Sequence, residues 1–255
     1  MANEYLVNSA DLTAVADAIR TKGGTSNAMI FPDGFVEAVE AIQAGGGSAD
    51  ELKALVDRSI TSLPNLVGIS TIGESAFRGC SVMEGTVFPS SVTIIGSSAF
   101  TGCKKIAFTE LNDNITGIGQ YAFQDCHSLA LTKLPPKLGI GGWIERYAFQ
   151  RCYALSIKEI PESVSGISQS AFEDCTGLTS MYFPVKITLS GYVFSGCTNL
   201  ESVTFGATAN KIESTAFRNC TALTTINVPW AEGDVANAPW GATNATINYN
   251  YTGEG

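Results

Sequence analysis

The chain has 255 residues, 45% of them apolar, with 15 basic against 24 acidic side chains and a formal net charge of −9. That supplies a core but no basic stripe, the electrostatic footprint that nucleic-acid binding needs. No apolar run reaches the roughly 18–20 residues of a membrane span, and Met1 to Tyr5 lacks the basic start of a secretory signal.

Residues 1–44 read as a helical attachment module. Leu12, Val15, Ala16 and Ile19 recur at helical spacing, with Ser9 or Asp11 as N-cap and Gly23-Gly24 as a stop. After Phe31-Pro32-Asp33-Gly34, a second stretch sets Phe35, Val36, Val39 and Ile42 on one face. A module this small is marginal alone, so a structural partner is expected through these helices. Residues 45–48 are a Gly-rich linker. Residues 49–64 read as an N-terminal helical cap, in which Leu52, Leu55 and Val56 would cover the first coil of a repeat array.

Residues 65–229 carry that array, seven copies of one phrase, plainest as Ile118-Gly-Gln-Tyr-Ala-Phe-Gln-Asp-Cys126, at separations of 22 to 26 residues. All seven cysteines share one slot: Cys80, Cys103, Cys126, Cys152, Cys175, Cys197 and Cys220. A phenylalanine stands three residues before each, an isoleucine or leucine eight before, and Met83, Ile106 or a leucine three after. Such periodic units cannot enclose a core singly and bury their faces against one another. Within a unit, the alanine, phenylalanine, cysteine and leucine sit at relative positions 0, 1, 4 and 7, which predicts one or two helical turns. The stretch after them, as in Leu178 to Pro184, predicts a strand. The expected fold is an α/β solenoid of about seven 22–26-residue coils with a parallel stacked sheet, a helical N-terminal module and a C-terminal cap. Residues 230–255 form that cap, with Trp230 and Trp240 shielding the last coil. Left exposed, the two indoles would instead form a carbohydrate-stacking pair.

Seven regularly spaced thiols suggest disulfides, metal ligands or nucleophiles, and geometry argues against each. Coils at least ~4.8 Å apart with parallel side chains hold neighbouring Cβ atoms beyond disulfide range. No C-x-x-C pair exists and His127 is the sole histidine, so no zinc set of ordinary spacing is present. The cysteines read as small core hydrophobes. His127 follows a core cysteine rather than facing a nucleophile. The adjacent Glu173-Asp174 pair looks solvated, and Gly139-Ile-Gly-Gly142 lacks the rest of a phosphate loop. No catalytic, cofactor-binding or metal-binding residue is assigned, no cofactor is expected, and the protein reads as a non-enzyme.

The surface left free by the repeat is the row seven residues after each cysteine. Glu110, Lys133, Glu159, Tyr182, Thr204 and Asn227 are the candidate ligand-facing residues, with Val87 in the same slot of the first unit. Five residues after the cysteine, Phe108, Leu131 and Ile157 would form an exposed apolar patch if they faced outward. Thr109, Thr132 and Lys158 at the following position favour their burial.

The pattern Ile-Gly-x-x-Ala-Phe-x-x-Cys-x-x-Leu, with a proline six residues later, resembles the BspA-type (Treponema-type) leucine-rich repeats over roughly residues 60 to 230. The resemblance implies a curved right-handed solenoid that binds other proteins or surfaces in bacteria. Departures occur at Gly139 to Trp143, where the gap lengthens, and at Ser190 to Val193, where it shortens. Ala10 to Gly24 with Phe31 to Phe35 resembles tail-region and minor structural proteins of prophages in Gram-positive gut bacteria, implying an attachment module. Together they imply recognition or adhesion towards a protein or glycan ligand, as a prophage tail-associated component, a host-directed adhesin, or more simply a structural spacer. The implied location is extracellular, on a cell surface or on a phage particle, although no signal peptide is visible.

Overall fold

The computed structural model describes residues 58–253, apart from 65, 67–68 and 140–141. The predicted helical pair, its linker and residues 49–57 of the predicted helical cap therefore lie outside the described residues, and the remainder of that cap, residues 58–64, is not helical. From Arg58, whose φ is 58°, the chain enters the first coil without a helix, and Ser62 bridges in parallel to Glu84.

The expected α/β class is corrected to a parallel β-solenoid, because the described residues contain no helix. The residue before each alanine or Val193 takes positive φ in six coils: Ser75, Ser98, Tyr121, Tyr147, Ser170 and Tyr192. The residue before each cysteine does so in all seven: Gly79, Gly102, Asp125, Arg151, Asp174, Gly196 and Asn219. Left-handed residues recurring every four positions interrupt a right-handed helix. Alternate amides then serve different partners. In the coil of Phe123, the N–H groups of Ala122, Gln124 and Cys126 close four-residue turns onto the carbonyls of Gly119, Tyr121 and Phe123. Those of Tyr121, Phe123 and Asp125 donate instead to Arg146, Ala148 and Gln150 of the next coil, at 2.8 to 3.0 Å. The 0, 1, 4, 7 spacing that mimics a helix is thus a chain of tight turns with its own ladder between coils.

Two strand ladders run along the stack, the second only in its later coils. The first lies eight and nine residues before each cysteine. It comprises β1 (Thr71–Ile72), β2 (Ile94–Ile95), β3 (Gly117–Ile118), β4 (Trp143–Ile144), β5 (Gly166–Ile167), β7 (Thr188–Leu189) and β9 (Lys211–Ile212), all parallel. It breaks once, between β3 and β4, where the 26-residue coil falls. The second ladder joins β6 (Ser180–Phe183), β8 (Ser202–Phe205), β10 (Thr225–Asn227) and β11 (Thr246–Asn248). Because β11 pairs in register with β10 beyond the last cysteine coil, the stack has about eight turns rather than seven.

The second ladder is regular only in the later coils, for a reason written in the sequence. Strand alternation needs inward residues two apart. Coils five to seven meet it with buried Met181 and Phe183, Val203 and Phe205, Ile226 and Val228. Coils two to four bury Phe108, Leu131 and Ile157 together with residues three further on, Leu111, Leu134 and Ile160. A strand cannot turn both residues of such a pair inward, so only isolated bridges such as Gly85 to Ile106 and Glu159 to Tyr182 form on this face. Leu131 is fully buried, so Leu131→Asn is expected to cost about 2–5 kcal/mol in urea denaturation. An unchanged midpoint would place that side chain in solvent.

The core is one continuous cluster of stacked rows. Phe77, Phe100, Phe123, Phe149, Phe172, Phe194 and Phe217 form a file of near-parallel rings with centroids 5.3 to 5.6 Å apart. Trp230 and Trp240 are 3% and 0% exposed, so they offer no open sugar platform. Trp230 meets Phe205 edge-on at 5.2 Å and Trp240 at 6.3 Å, and Trp240 O accepts the Phe217 amide.

Candidate ligand-binding surface

The predicted surface row divides into two parts. In coils two and three, exposed Lys133 reaches Glu110 Oε2 at 3.8 Å and Asp113 Oδ1 at 3.9 Å. Surface ion pairs of this kind contribute little stability. From Glu159 onward the residues fall into cross-strand register: Glu159 opposite Tyr182, Tyr182 opposite Thr204, Thr204 opposite Asn227, and Asn227 opposite Asn248. Amides tie the last three together, Asn248 Nδ2 donating to Asn227 Oδ1 at 2.8 Å and Asn227 Nδ2 to Thr204 Oγ1 at 3.2 Å. Asn248 belongs to the row but lies outside the seven sequence repeats. The parallel register places it, since β11 continues the ladder where the cysteine does not.

Tyr182 projects from the middle of this row, 38% exposed. Its hydroxyl lies 2.6 Å from where a Cβ on Gly206 would stand, so the missing side chain at Gly206 gives the phenol its resting place. The row therefore presents a held aromatic ring flanked by a carboxylate, a hydroxyl and two amides. Such groups are suited to hydrogen bonding and stacking rather than to bond cleavage.

A second polar ridge, not singled out in the sequence, runs along the turn ladder. Gln124 Nε2 donates to Gln150 Oε1 at 2.6 Å and Gln150 Nε2 to Glu173 Oε2 at 2.7 Å. Beside it, Arg151 grips Asp125 with both ends of its guanidinium, Nε to Oδ1 at 2.5 Å and Nη2 to Oδ2 at 3.0 Å. That bond holds the guanidinium proton more firmly than usual. Asp174, expected to be solvated, is half-buried. Burial first and Glu173 second push its carboxyl up, with Arg151 opposing.

His127 Nε2 stands 3.8 Å from Asp125 Oδ1, and its ring tilts against Tyr153 at 4.7 Å. Asp125 is already held by Arg151, and the thiol of Cys126 points inward, where it donates to Phe100 O at 3.0 Å. Among the described residues, no group of three or more His, Cys, Asp or Glu is arranged to hold a metal ion. An open hollow of about 430 Å³ lies where the last coil meets the cap, lined by Ser214, Arg218, Asn219, Thr243 and Asn244 among others.

Each cysteine after the first does more than fill space. Cys103, Cys126, Cys152, Cys175, Cys197 and Cys220 donate Sγ–H to the phenylalanine carbonyl of the preceding coil, at 3.0 to 3.2 Å. Burial pushes every thiol above its ordinary value of 9.0, Cys220 to about 12. The folded chain holds these protons more tightly than the unfolded chain. Their contribution to stability is therefore complete below about pH 9 and is lost as pH climbs through the raised native values. Thiolate is scarce in the native state, so iodoacetamide at pH 8 is expected to leave the native protein unmodified and to label all seven thiols once urea unfolds it. Native labelling at the rate of a free thiol would show that the cysteine file is open.

The sequence model of the BspA type leucine-rich repeat region, in six copies, matches residues 56–142 and 142–235. A leucine-rich repeat protein of T. pallidum is 33% identical over 64% of this chain and 76% of its own, with a TM-score of 0.51. A leucine-rich repeat protein from Bacteroides ovatus is 23% identical over 76% of this chain and 62% of its own, with a TM-score of 0.45. A leucine-rich cell surface protein from Faecalibacterium prausnitzii is 21% identical over 68% and 67%, with a TM-score of 0.32. A search of the curated proteins finds no match. The family match begins after the segment that resembles prophage tail proteins, and nothing in these comparisons supports that second resemblance.

Proposed function

The chain belongs to the BspA-type leucine-rich repeat family, and on that premise we propose that it is a non-catalytic binding protein whose solenoid presents the second strand face to a protein or glycan ligand. The observation that carries this reading is the row Glu159, Tyr182, Thr204, Asn227 and Asn248, in which Glu159, Tyr182 and Asn248 are exposed and Thr204 and Asn227 half-buried, fixed in register by β6, β8, β10 and β11. A solenoid face of this kind is pre-organised, so little ordering entropy opposes binding. Glu110 and Lys133 extend the row into the earlier coils.

Two biological settings suit such a surface. As a prophage tail-associated component, the protein would contact a bacterial envelope or its glycans through the solenoid and a structural partner through residues 1–44. As an adhesin of a gut bacterium, it would contact host matrix or mucin. A spacer would bind neither.

Labelled protein titrated onto Gram-positive gut bacteria and onto mucin- or matrix-coated surfaces separates the three. Saturable binding to bacteria supports the tail component, and saturable binding to mucin or matrix supports the adhesin. In either case Tyr182→Ala and Lys133→Ala are expected to weaken binding about tenfold, the scale on which interface aromatics and charges act. Binding to none of the surfaces, or binding indifferent to both substitutions, would overturn the proposal.

A further inference from the structure

Of the three tryptophans, Trp143 alone is exposed, at 38%, and it stands on the other strand face, nine residues before Cys152. The residue opposite it in register on the next coil is Gly166. Three atoms of the indole lie 2.6 Å from the point a Cβ on Gly166 would occupy, so the ring rests directly on the glycine backbone. Any side chain at position 166 would lift it. The ring is therefore laid along the sheet with its other side towards solvent, and no aromatic neighbour among the described residues covers it.

The ground on both sides of the indole is shaped to match. The preceding coil has Gly117 in the same row and the coil before that has Ile94, 39% exposed, its Cγ2 3.9 Å from Gly117's missing Cβ position. Beyond Gly166 the row continues with Thr188 and Lys211. The ladder also breaks beside the tryptophan. The amide seven residues before the cysteine bonds to the preceding coil in five places, as in Gly119 N to Ile95 O and Ser168 N to Ile144 O. No such bond joins Glu145 N to Ile118 O. The coil carrying Gly139 and Gly142, at φ 96° and 80°, is the one that opens this gap.

We propose that Trp143, laid on Gly166 beside the break between β3 and β4, is a stacking platform for a pyranose ring of a glycan. This deepens the proposed binding function and rests on it. A pyranose with equatorial hydroxyls has a flat C–H face that packs on an indole and a polar rim that needs hydrogen-bonding partners. The Thr188 hydroxyl, next in register beyond Gly166, and the backbone groups at the ladder break lie along or beside the row to meet that rim, while Lys211, a further coil away, is paired with Glu213 at 2.6 Å. A protein side chain acting as a binding anchor is instead best held in a walled, fully desolvated pocket, and a ring on the bare floor of Gly166, with Gly117 in the row before it, has no such walls on these sides. Because the ring is already seated, binding need not order it.

The test uses the full chain and soluble probes: β-linked N-acetylglucosamine, glucose and mannose oligosaccharides, followed by tryptophan fluorescence. Trp230 and Trp240 are buried, so a saturable change reports chiefly on Trp143. At least one probe is expected to give it; in titration calorimetry, which needs no indole reporter, Trp143→Ala is then expected to weaken binding about tenfold or abolish it and Trp143→Tyr to retain part, with melting temperatures close to the parent's. The same variants are then titrated onto bacterial and mucin surfaces before and after periodate, which cleaves vicinal diols of sugars. Loss of binding with periodate and with Trp143→Ala supports the platform. No response to any probe, or surface binding that depends on Trp143 yet resists both periodate and competition by the soluble oligosaccharides, overturns it, the latter in favour of a protein partner. Binding that depends on Tyr182 but not Trp143 sinks the platform and leaves the proposed function standing, whereas no binding to any surface sinks both.

Discussion

Phe149→Ala is expected to lower the unfolding free energy by about 3–5 kcal/mol, the range for truncating a fully buried phenylalanine. Phe149 is 0% exposed and lies in the middle of the ring file, 5.6 Å from Phe123 and 5.3 Å from Phe172. Its carbonyl accepts both the Cys152 amide and the Cys175 thiol, so the backbone there is pinned by two coils and cannot collapse into the vacated space. Stability in a stacked array is a sum over units and nearest-neighbour interfaces, and this substitution weakens two interfaces at once. Phe77 has a ring partner in the file on one side only, Phe100. Phe77→Ala is therefore expected to cost less. Urea denaturation of both variants checks the order. Equal losses, or a loss below about 1 kcal/mol at Phe149, would mean that the file is not the spine of the core.

Gly119→Ala is expected to be nearly as damaging, although it adds only one methyl group. A Cβ at this position would stand 2.6 Å from Ser97 N and 2.8 Å from Gly96 C, both backbone atoms of the preceding coil. Backbone cannot swing aside as a flexible side chain can. The coils must separate, straining the 2.8 Å bond from Gly119 N to Ile95 O, and overpacking of this kind costs about 1–3 kcal/mol. Gly117, two residues earlier, is the control. Its nearest obstacle is Ile94 Cγ2 at 3.9 Å, so Gly117→Ala is expected to leave the melting temperature close to that of the parent. If both alanines were tolerated, the coils would be looser than the glycine contacts imply.

The stacked core was legible in the sequence because a solenoid demands the same side chain in the same slot of every coil. The phenylalanine and cysteine rows could be read directly. The turns were not, because four apolar positions at 0, 1, 4 and 7 fit a helix as well as they fit two successive tight turns. A signal was available one residue before each cysteine. Gly79, Gly102, Asp125, Asp174, Gly196 and Asn219 are residues that accept positive φ, and only Arg151 departs from the set. The alternation of donors between turn and ladder leaves no such trace.

The surface was legible in part. The row from Glu159 to Asn227 showed itself as a variable column between inward positions, and the structure adds that its members stand in register. Asn248 was hidden because the cap keeps the strand but drops the repeat. Trp143 stands in a lengthened coil where nothing in the repeat marks it, since its seat on Gly166 is a contact across 23 residues that only stacking creates. The first strand ladder went unread because each strand is only two residues long.

Amide hydrogen exchange bears most directly on the claim that these faces are carried by a helix-free stack with a ladder at its turns. The N–H groups of Phe100, Phe123, Phe149 and Phe172 donate across coils at 2.8 to 2.9 Å, although their segments are neither helix nor strand. They are expected to exchange only through cooperative opening of the stack, as slowly as the amides of β8 and β10. Rapid exchange at those four amides, with the strands still protected, would contradict the turn ladder and the rigid surface built on it.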